Sequence, residues 1–403
     1  MKIRSITCFC HPGDPEFLGQ LSALSRLVSL CKMELEDRGW EIQSARLATV
    51  PFSHYLKPET AIKQVLRIEE AAREHGFEYV SIGPARLAEQ SDYQRIPEIL
   101  AASTRVFANA FLSHHHHGIS YSSIQACAKL IKAAATITPD GFTNLRFCAM
   151  SRVQPFTPFF PAAYAYDYPA FSIAIQAADA AVQVFSNASV LSEAREQLVG
   201  DLDAASAQIG KVAAIIAGKM GIPFKGFDFS LAPFPEEWCS LGKAIETLAG
   251  ASIGSTGTLA SAAILAETLD RGHWQRAGFN GLMLPVLEDS TLAARSEGHL
   301  LSVKDLLLFS AVCGTGLDTV PLPGDIAEEA IESLLMDLAA LSLRLNKPLT
   351  ARLMPIPGYQ AGDATRFEFD FFANGKILDF PAGHLSQLLT KEQWVQIHQR
   401  HPN

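Results

Sequence analysis

Phe309-Ser-Ala-Val-Cys-Gly-Thr-Gly-Leu-Asp-Thr-Val-Pro-Leu-Pro-Gly-Asp325 joins an apolar run to a proline-braced turn through one cysteine among small residues. The run over Leu307–Val312 reads as a buried strand. Gly314 and Gly316 ask for unusual backbone angles or close backbone approach, and Pro321 and Pro323 stiffen the exit. Asp325, with Glu328 three residues on, makes a capping-box-like helix start. Over 326–345, Ile331, Leu334, Leu335, Leu338, Leu341 and Leu345 then share one stripe, the spacing of a helix laid on a sheet. A strand, a tight turn and such a helix form the repeating unit of an α/β fold.

The same alternation extends in both directions along the chain. Strand patterns fall near Ile3–Cys10, Glu41–Thr49, Tyr79–Pro84, Arg105–Ser113, Leu145–Val153, Phe171–Gln176, Phe227–Phe234, Gly281–Leu287, Leu307–Val312 and Leu349–Ile356. Helical patterns between most of them predict a largely parallel α/β sheet. No low-complexity linker divides the 403 residues, so one large α/β domain over 1–403 is expected. Its softest points are the Pro- and Phe-rich segment 154–169 and the approach to the Phe-rich tail 366–380, with 364–403 as a C-terminal extension.

Composition bounds the function. Hydrophobic residues make up 48% and charged residues 19%, enough for a large core. A net charge of −9 without a basic stripe argues against nucleic acid as a partner. The charged start Met1-Lys-Ile-Arg lacks a secretory pattern, and no apolar run is long enough to span a membrane. Seven dispersed cysteines (8, 10, 31, 127, 148, 239 and 313) with no Cys-x-x-Cys predict reduced thiols, a cytoplasmic setting and no structural zinc.

Arginines stand where strands should be apolar: Arg4, Arg46, Arg146 and Arg352. Burying an unpaired cation costs several kcal/mol, so each faces a carboxylate, water or an anionic ligand. In Gly226-Phe-Asp-Phe-Ser-Leu-Ala-Pro233, Phe227, Phe229 and Leu231 share one face while Asp228 and Ser230 share the other. Asp–Arg pairing alone would account for one such arginine, and four exceed what one aspartate needs. The surplus suits a small carboxylate or phosphate.

Other residues carry chemistry or plain structure. Glu288 and Asp289 end a strand, where α/β folds place ligands. Glu288 is an acid or base if burial raises its pKa, and otherwise pairs with Arg295 while Asp289 caps the next helix. Gly250–Ser261, rich in glycine and hydroxyls, is an anion cradle or a helix cap. The run His114–His117 is a solvated loop or a weak metal signal. Cys313 is a nucleophile candidate or a buried spectator, and Asp318 beside it is open to a ligand role.

Together, Phe159-Phe-Pro-Ala-Ala-Tyr164, Leu231-Ala-Pro-Phe-Pro235, Leu284-Pro-Val-Leu-Glu-Asp289, Cys313–Asp325 and Arg344-Leu-Asn-Lys-Pro-Leu349 resemble the family called domain of unknown function 711. The likeness covers about residues 1–363 and includes the strand arginines of Ile3-Arg-Ser-Ile-Thr7 and Thr350-Ala-Arg-Leu353. It implies a ten-stranded α/β barrel like that of pyruvate formate-lyase and other glycyl-radical enzymes. In that fold two five-stranded parallel halves run antiparallel around a central hairpin loop, with Cys313 on or near the loop. Ile356-Pro-Gly-Tyr359 lacks the flanking residues of a glycyl-radical site, so that chemistry is not expected.

The resulting expectation is a cytoplasmic enzyme acting on a small anionic metabolite in a closed barrel, without a cofactor and free to form a homo-oligomer. Arg4, Arg46, Arg146, Arg352 and Asp318 would bind the ligand; Cys313, Asp228 and Glu288 would be catalytic. A non-catalytic anion-binding protein would need only the arginines. A magnesium- or calcium-dependent enzyme would use Glu288, Asp289 and Asp318.

Overall fold

Strand β1 (Lys2–Cys10) alternates between two packed faces, with Ile6 and Cys8 in the main core and Phe9 in a separate inner cluster. The computed structural model describes residues 1–297, 300–381 and 383–399. Beside β1 run β2 (Ala45–Thr49), β3 (Tyr79–Ala85) and β4 (Val106–Phe111), each parallel to the one before. Two short strands, β5 (Ser113–His114) and β6 (Gly118–Ser120), form a hairpin before β7 (Phe147–Ser151) extends the parallel set. Helices Phe17–Glu36, Ala61–Glu74, Gln90–Ala102 and Tyr121–Ala135 make the crossovers. A parallel pair needs such a crossover to return the chain to the same end of the sheet.

The chain then reverses. β8 (Ala170–Gln176) pairs antiparallel with β1, Ile6 opposite Ile173, and β9 (Phe224–Asp228) lies parallel to β8. At the other edge β11 (Leu349–Ile356) pairs antiparallel with β7, and β10 (Gly316–Pro323) lies parallel to β11. The nine strands are ordered β10-β11-β7-β4-β3-β2-β1-β8-β9. Segment 276–285 makes parallel bridges to both ends of this series, Phe227 with Arg276 and Leu231 with Leu282 on one side, Pro285 with Asp318 on the other. A third, small sheet strand, β12 (Trp394–Val395), pairs with β6 and ties the C-terminal region to the body.

Several expected elements differ: the strand expected over Phe227–Phe234 ends at Asp228, and the expected turn after Cys313 is strand β10 (Gly316–Pro323). Leu307–Val312 is the end of a helix, Val303–Val312, because Ser302 and Asp305 form a reciprocal capping box that starts it. Gly281–Leu287 makes isolated bridges rather than a continuous strand. The expected cap at Asp325 is also corrected: helix Glu328–Leu345 starts after Ala327 without a side-chain cap. The glycines of the opening stretch serve close approach. A Cβ on Gly314 would lie 2.5 Å from Gly281 Cα, and Gly316, at φ +100°, passes against the Thr350 carbonyl.

The Pro- and Phe-rich segment 154–169 crosses the sheet face opposite the helices. Strand side chains hold it there: Ser81 Oγ donates to Ala163 O at 2.7 Å, Asn109 Nδ2 to Pro161 O at 2.7 Å, and Ser172 Oγ to Phe156 O at 2.8 Å. Phe156 and Phe160 pack with Phe9 and Ala48, and Phe159 packs with Met150, Phe279 and Met283. This segment, not Cys313–Asp325, covers the inner face. Among the described residues no helix is long and apolar enough to cross a membrane.

Candidate functional site

Each strand arginine on the inner face reflects the period of two. In β1, Arg4 projects opposite Ile3, and in β2 Arg46 projects opposite Ala45 and Leu47, which join the helix-side core. In β11, Arg352 sits between Ala351 and Leu353, both of that core. Glu288, on the turn before helix Ser290–Glu297, reaches the same place.

These groups form a chain of ions. Arg4 Nη2 donates to Glu288 Oε2 at 2.8 Å, and Arg352 Nη2 to Glu288 Oε1 at 2.6 Å. Arg352 Nε donates to Asp318 Oδ1 at 2.5 Å. Burial alone would push the Glu288 carboxyl up, but Arg352 and then Arg4 outweigh it and hold its pKa below the ordinary glutamate value. Burial and the charge of Glu288 raise Asp318, against the pull of Arg352. For Arg352, burial favours the neutral form, yet Asp318 and Glu288 outweigh it and raise its pKa. Glu288 is therefore ionised at neutral pH, and the raised pKa that an acid or base role called for is not found.

Arg46 is different. Its Nε donates to Ser44 Oγ at 2.9 Å and its guanidinium lies 5.4 Å from the Phe160 ring centroid. Among the described residues it has no carboxylate partner. Burial, and then the neighbouring Arg4, lower its pKa to about 10. It borders a cavity of about 320 Å³ that Arg4, Glu288 and Arg352 also line. Tyr79, Phe107 and Phe160 form one aromatic wall of this cavity; Phe142, Phe369 and Phe371 form another. A smaller cavity of about 20 Å³ adjoins Arg4 and Arg46 and reaches Asp228, Ser230 and Met283. A larger hollow, about 770 Å³, lies on the outer surface between helices Ala61–Glu74 and Gln90–Ala102 and shares no residue with the ion chain.

The other expected site residues have different partners. Arg146 lines the cavity, but its guanidinium is taken by backbone carbonyls: Leu100 at 2.8 Å, Val106 at 3.2 Å, and Ser103. It thereby caps helix Gln90–Ala102, and burial lowers its pKa to about 10. Asp228 accepts from Ser230 N, Ser230 Oγ, Phe279 N and Asn280 N, so its carboxylate organises segment 276–281. Asp289 accepts from Ser240 Oγ and from Gly242, Thr291 and Leu292 amides, capping two helices. Arg295 pairs with Glu246, not Glu288.

Cys313 caps the C-terminal end of helix Val303–Val312, is 3% exposed, and packs in the main core without lining either cavity. Lys347 Nζ donates to its carbonyl. The thiol beside the ion chain is Cys148 on β7; burial raises its pKa, and Arg352 opposes that only in part. Alternation along Phe147–Ser151 places Cys148 inward, but the sequence does not show that β11 lies alongside. Phe369 and Phe371 come from the Phe-rich tail, whose composition was the available signal.

One further group lies at the ends of β1 and β2. His11, His54 and Asp167 each offer a ligand atom, and these atoms lie within 4.8 Å of one another, a spacing compatible with a divalent metal. The Gly13 amide donates to His11 Nδ1 at 3.0 Å and competes for that nitrogen. His114 ends β5 and His115–His117 form the exposed turn of the β5–β6 hairpin, with His117 near Trp394.

A family model described as "Uncharacterised ACR (DUF711)" matches residues 1–372. A UPF0210 protein of Syntrophobacter fumaroxidans is 27% identical over 398 residues, covering 89% of this chain and 85% of that one. One from Desulfovibrio desulfuricans is 25% identical over 404 positions, covering 91% and 86%. One from Pyrobaculum islandicum is 27% identical over 363 residues, covering 84% and 79%.

Proposed function

Because the chain belongs to the DUF711 family, whose description supplies no activity, we propose from the site itself that it is an enzyme binding a small anionic metabolite at Arg46 and Arg4. The observation that carries this is the guanidinium of Arg46: it borders a cavity, is partly buried, and has no carboxylate partner among the described residues. An arginine in that position gains most from a carboxylate or phosphate oxygen. Glu288, held ionised by its two arginines, fixes Arg4 and Arg352 at the cavity wall.

We further infer that the sheet closes into a ten-stranded barrel around this cavity. Support comes from segment 276–285, which bridges β9 on one side and β10 on the other and would supply the tenth strand. The five strands β1, β2, β3, β4 and β7 would then oppose β8, β9, the closing segment, β10 and β11. Segment 154–169 would fill one part of the interior, leaving the cavity beside it.

The test is a thermal-shift and calorimetric screen of small anions against wild type and Arg46→Met. A ligand of useful affinity raises the melting temperature by linkage. Stabilisation by anions in wild type and its loss in Arg46→Met is expected. Stabilisation by neutral compounds alone would reject the anion site. Conversion of a bound anion by wild type, lost in Arg46→Met, separates an enzyme from a binding protein.

A further inference from the structure

Charge and shape at this cavity together narrow its ligand, an inference that rests on the anion reading of Arg46. Arg4 and Arg352 are ion-paired with Glu288 and Asp318, and Asp228 beside the smaller cavity spends its oxygens on Ser230, Phe279 and Asn280, so among the described residues Arg46 is the inner-face strand arginine left without an ion pair. Arg146 adds a cation and Glu78 a carboxylate, which already accepts from the Ala45 amide. One unpaired guanidinium in a partly buried site matches one carboxylate; a second anionic group would have to take Arg4 from Glu288 or Arg146 from its backbone carbonyls.

The walls set the rest of the molecule. Phe107 stands edge-on to Phe160 at 5.3 Å and to Tyr79 at 5.5 Å, and Arg46 lies over Phe160. The second wall comes from Phe142, Phe369 and Phe371, with centroids 5.0 and 5.3 Å apart along the series. Flat apolar groups pack well against such rings, while a compact, fully hydrated anion would leave them wet. A volume of about 320 Å³ is at the lower end of the range for small-molecule sites.

We propose that the cavity takes a monoanion with a flat apolar body, of the arylcarboxylate class, with Arg46 on the carboxylate and the C-terminal Phe369 and Phe371 selecting the body. The probes are benzoate and phenylacetate, compared by calorimetry with acetate, succinate and inorganic phosphate. The aryl carboxylates should bind at least tenfold more tightly than acetate or succinate. Phe371→Ala should remove most of that preference while leaving acetate unchanged, and Phe371→Leu should restore part of it. Arg46→Gln should abolish binding of every anion, with circular dichroism confirming its fold. If succinate or phosphate binds as tightly as benzoate and still requires Arg46, the ligand class is overturned while the anion site stands. If no anion depends on Arg46, both readings fall.

Discussion

Arg352 Nη2 stands 2.6 Å from Glu288 Oε1, while the same guanidinium holds Asp318 through Nε at 2.5 Å. One buried cation thus serves two buried carboxylates. Removing it should be among the most disruptive single changes in the molecule. Arg352→Met leaves both anions without their shared partner and should lower stability by about 3–5 kcal/mol, the range for breaking a buried pair. Urea denaturation reads the loss. Adding Glu288→Gln and Asp318→Asn to Arg352→Met should recover much of it; failure to do so would mean the ions are not the source.

The same network sets an acid response of known sign. Glu288 has a folded pKa below its unfolded value of about 4.3. Its contribution is therefore fully present above that unfolded value and is lost as pH falls through the lower, folded one. Asp318 is shifted the other way, so its protonation relieves a burial penalty and partly offsets the loss. Glu288→Gln should give a shallower fall in stability below about pH 4.3 than wild type, and Asp318→Asn a steeper one. Melting temperatures across that interval would contradict this if the two variants moved together.

How far the sequence revealed this site follows from where each partner comes from. Arg4, Arg46 and Arg352 were legible because a cation in a strand violates burial, and alternation then assigns its face. Arg146 obeys the same local rule, yet its partners are carbonyls at the end of helix Gln90–Ala102, a long-range contact without a sequence signature. The Leu306–Phe309 run is too short for its period to separate helix from strand. The Ser302–Asp305 capping box was the overlooked signal there. The parallel strands were legible from their spacing, whereas the pairing of β1 with β8 depends on a reversal that no local pattern records.

Asp228 and Gly278 provide a test of the segment between β9 and β10. Gly278 has φ +78°, and a Cβ there would lie 2.3 Å from Asp228 Oδ2. Gly278→Ala should destabilise by about 1–3 kcal/mol, through the left-handed backbone and the displaced carboxylate. Asp228→Ala orphans the Phe279 and Asn280 amides. It should increase hydrogen exchange over 276–285 more than in β1. Uniform exchange throughout the chain would deny Asp228 this local role.

The thiols give a labelling prediction. All seven cysteines are buried, and Cys313 packs in the main core. Iodoacetamide should modify Cys313 only after unfolding, and an arylcarboxylate should give it no protection beyond its effect on global stability. Cys313→Ser should keep its fold and ligand binding. Rapid native labelling of Cys313, slowed by an anion, would instead place that thiol in contact with the site and restore it as a nucleophile.

Arg46 should show the opposing demands of stability and binding. Its guanidinium gives up hydration beside Arg4 and, among the described residues, donates one side-chain hydrogen bond, from Nε to Ser44 Oγ, and gains the Phe160 face in return. Met fills similar space without a charge, so Arg46→Met should stabilise the ligand-free protein by about 1 kcal/mol, as replacements of strained functional groups commonly do. The same change should eliminate anion binding. Adding a saturating arylcarboxylate should therefore reverse the order of melting temperatures, raising wild type above the variant through linkage. An Arg46→Met protein less stable than ligand-free wild type would mean that Arg46 is satisfied within the fold and that the cavity's positive charge lies elsewhere.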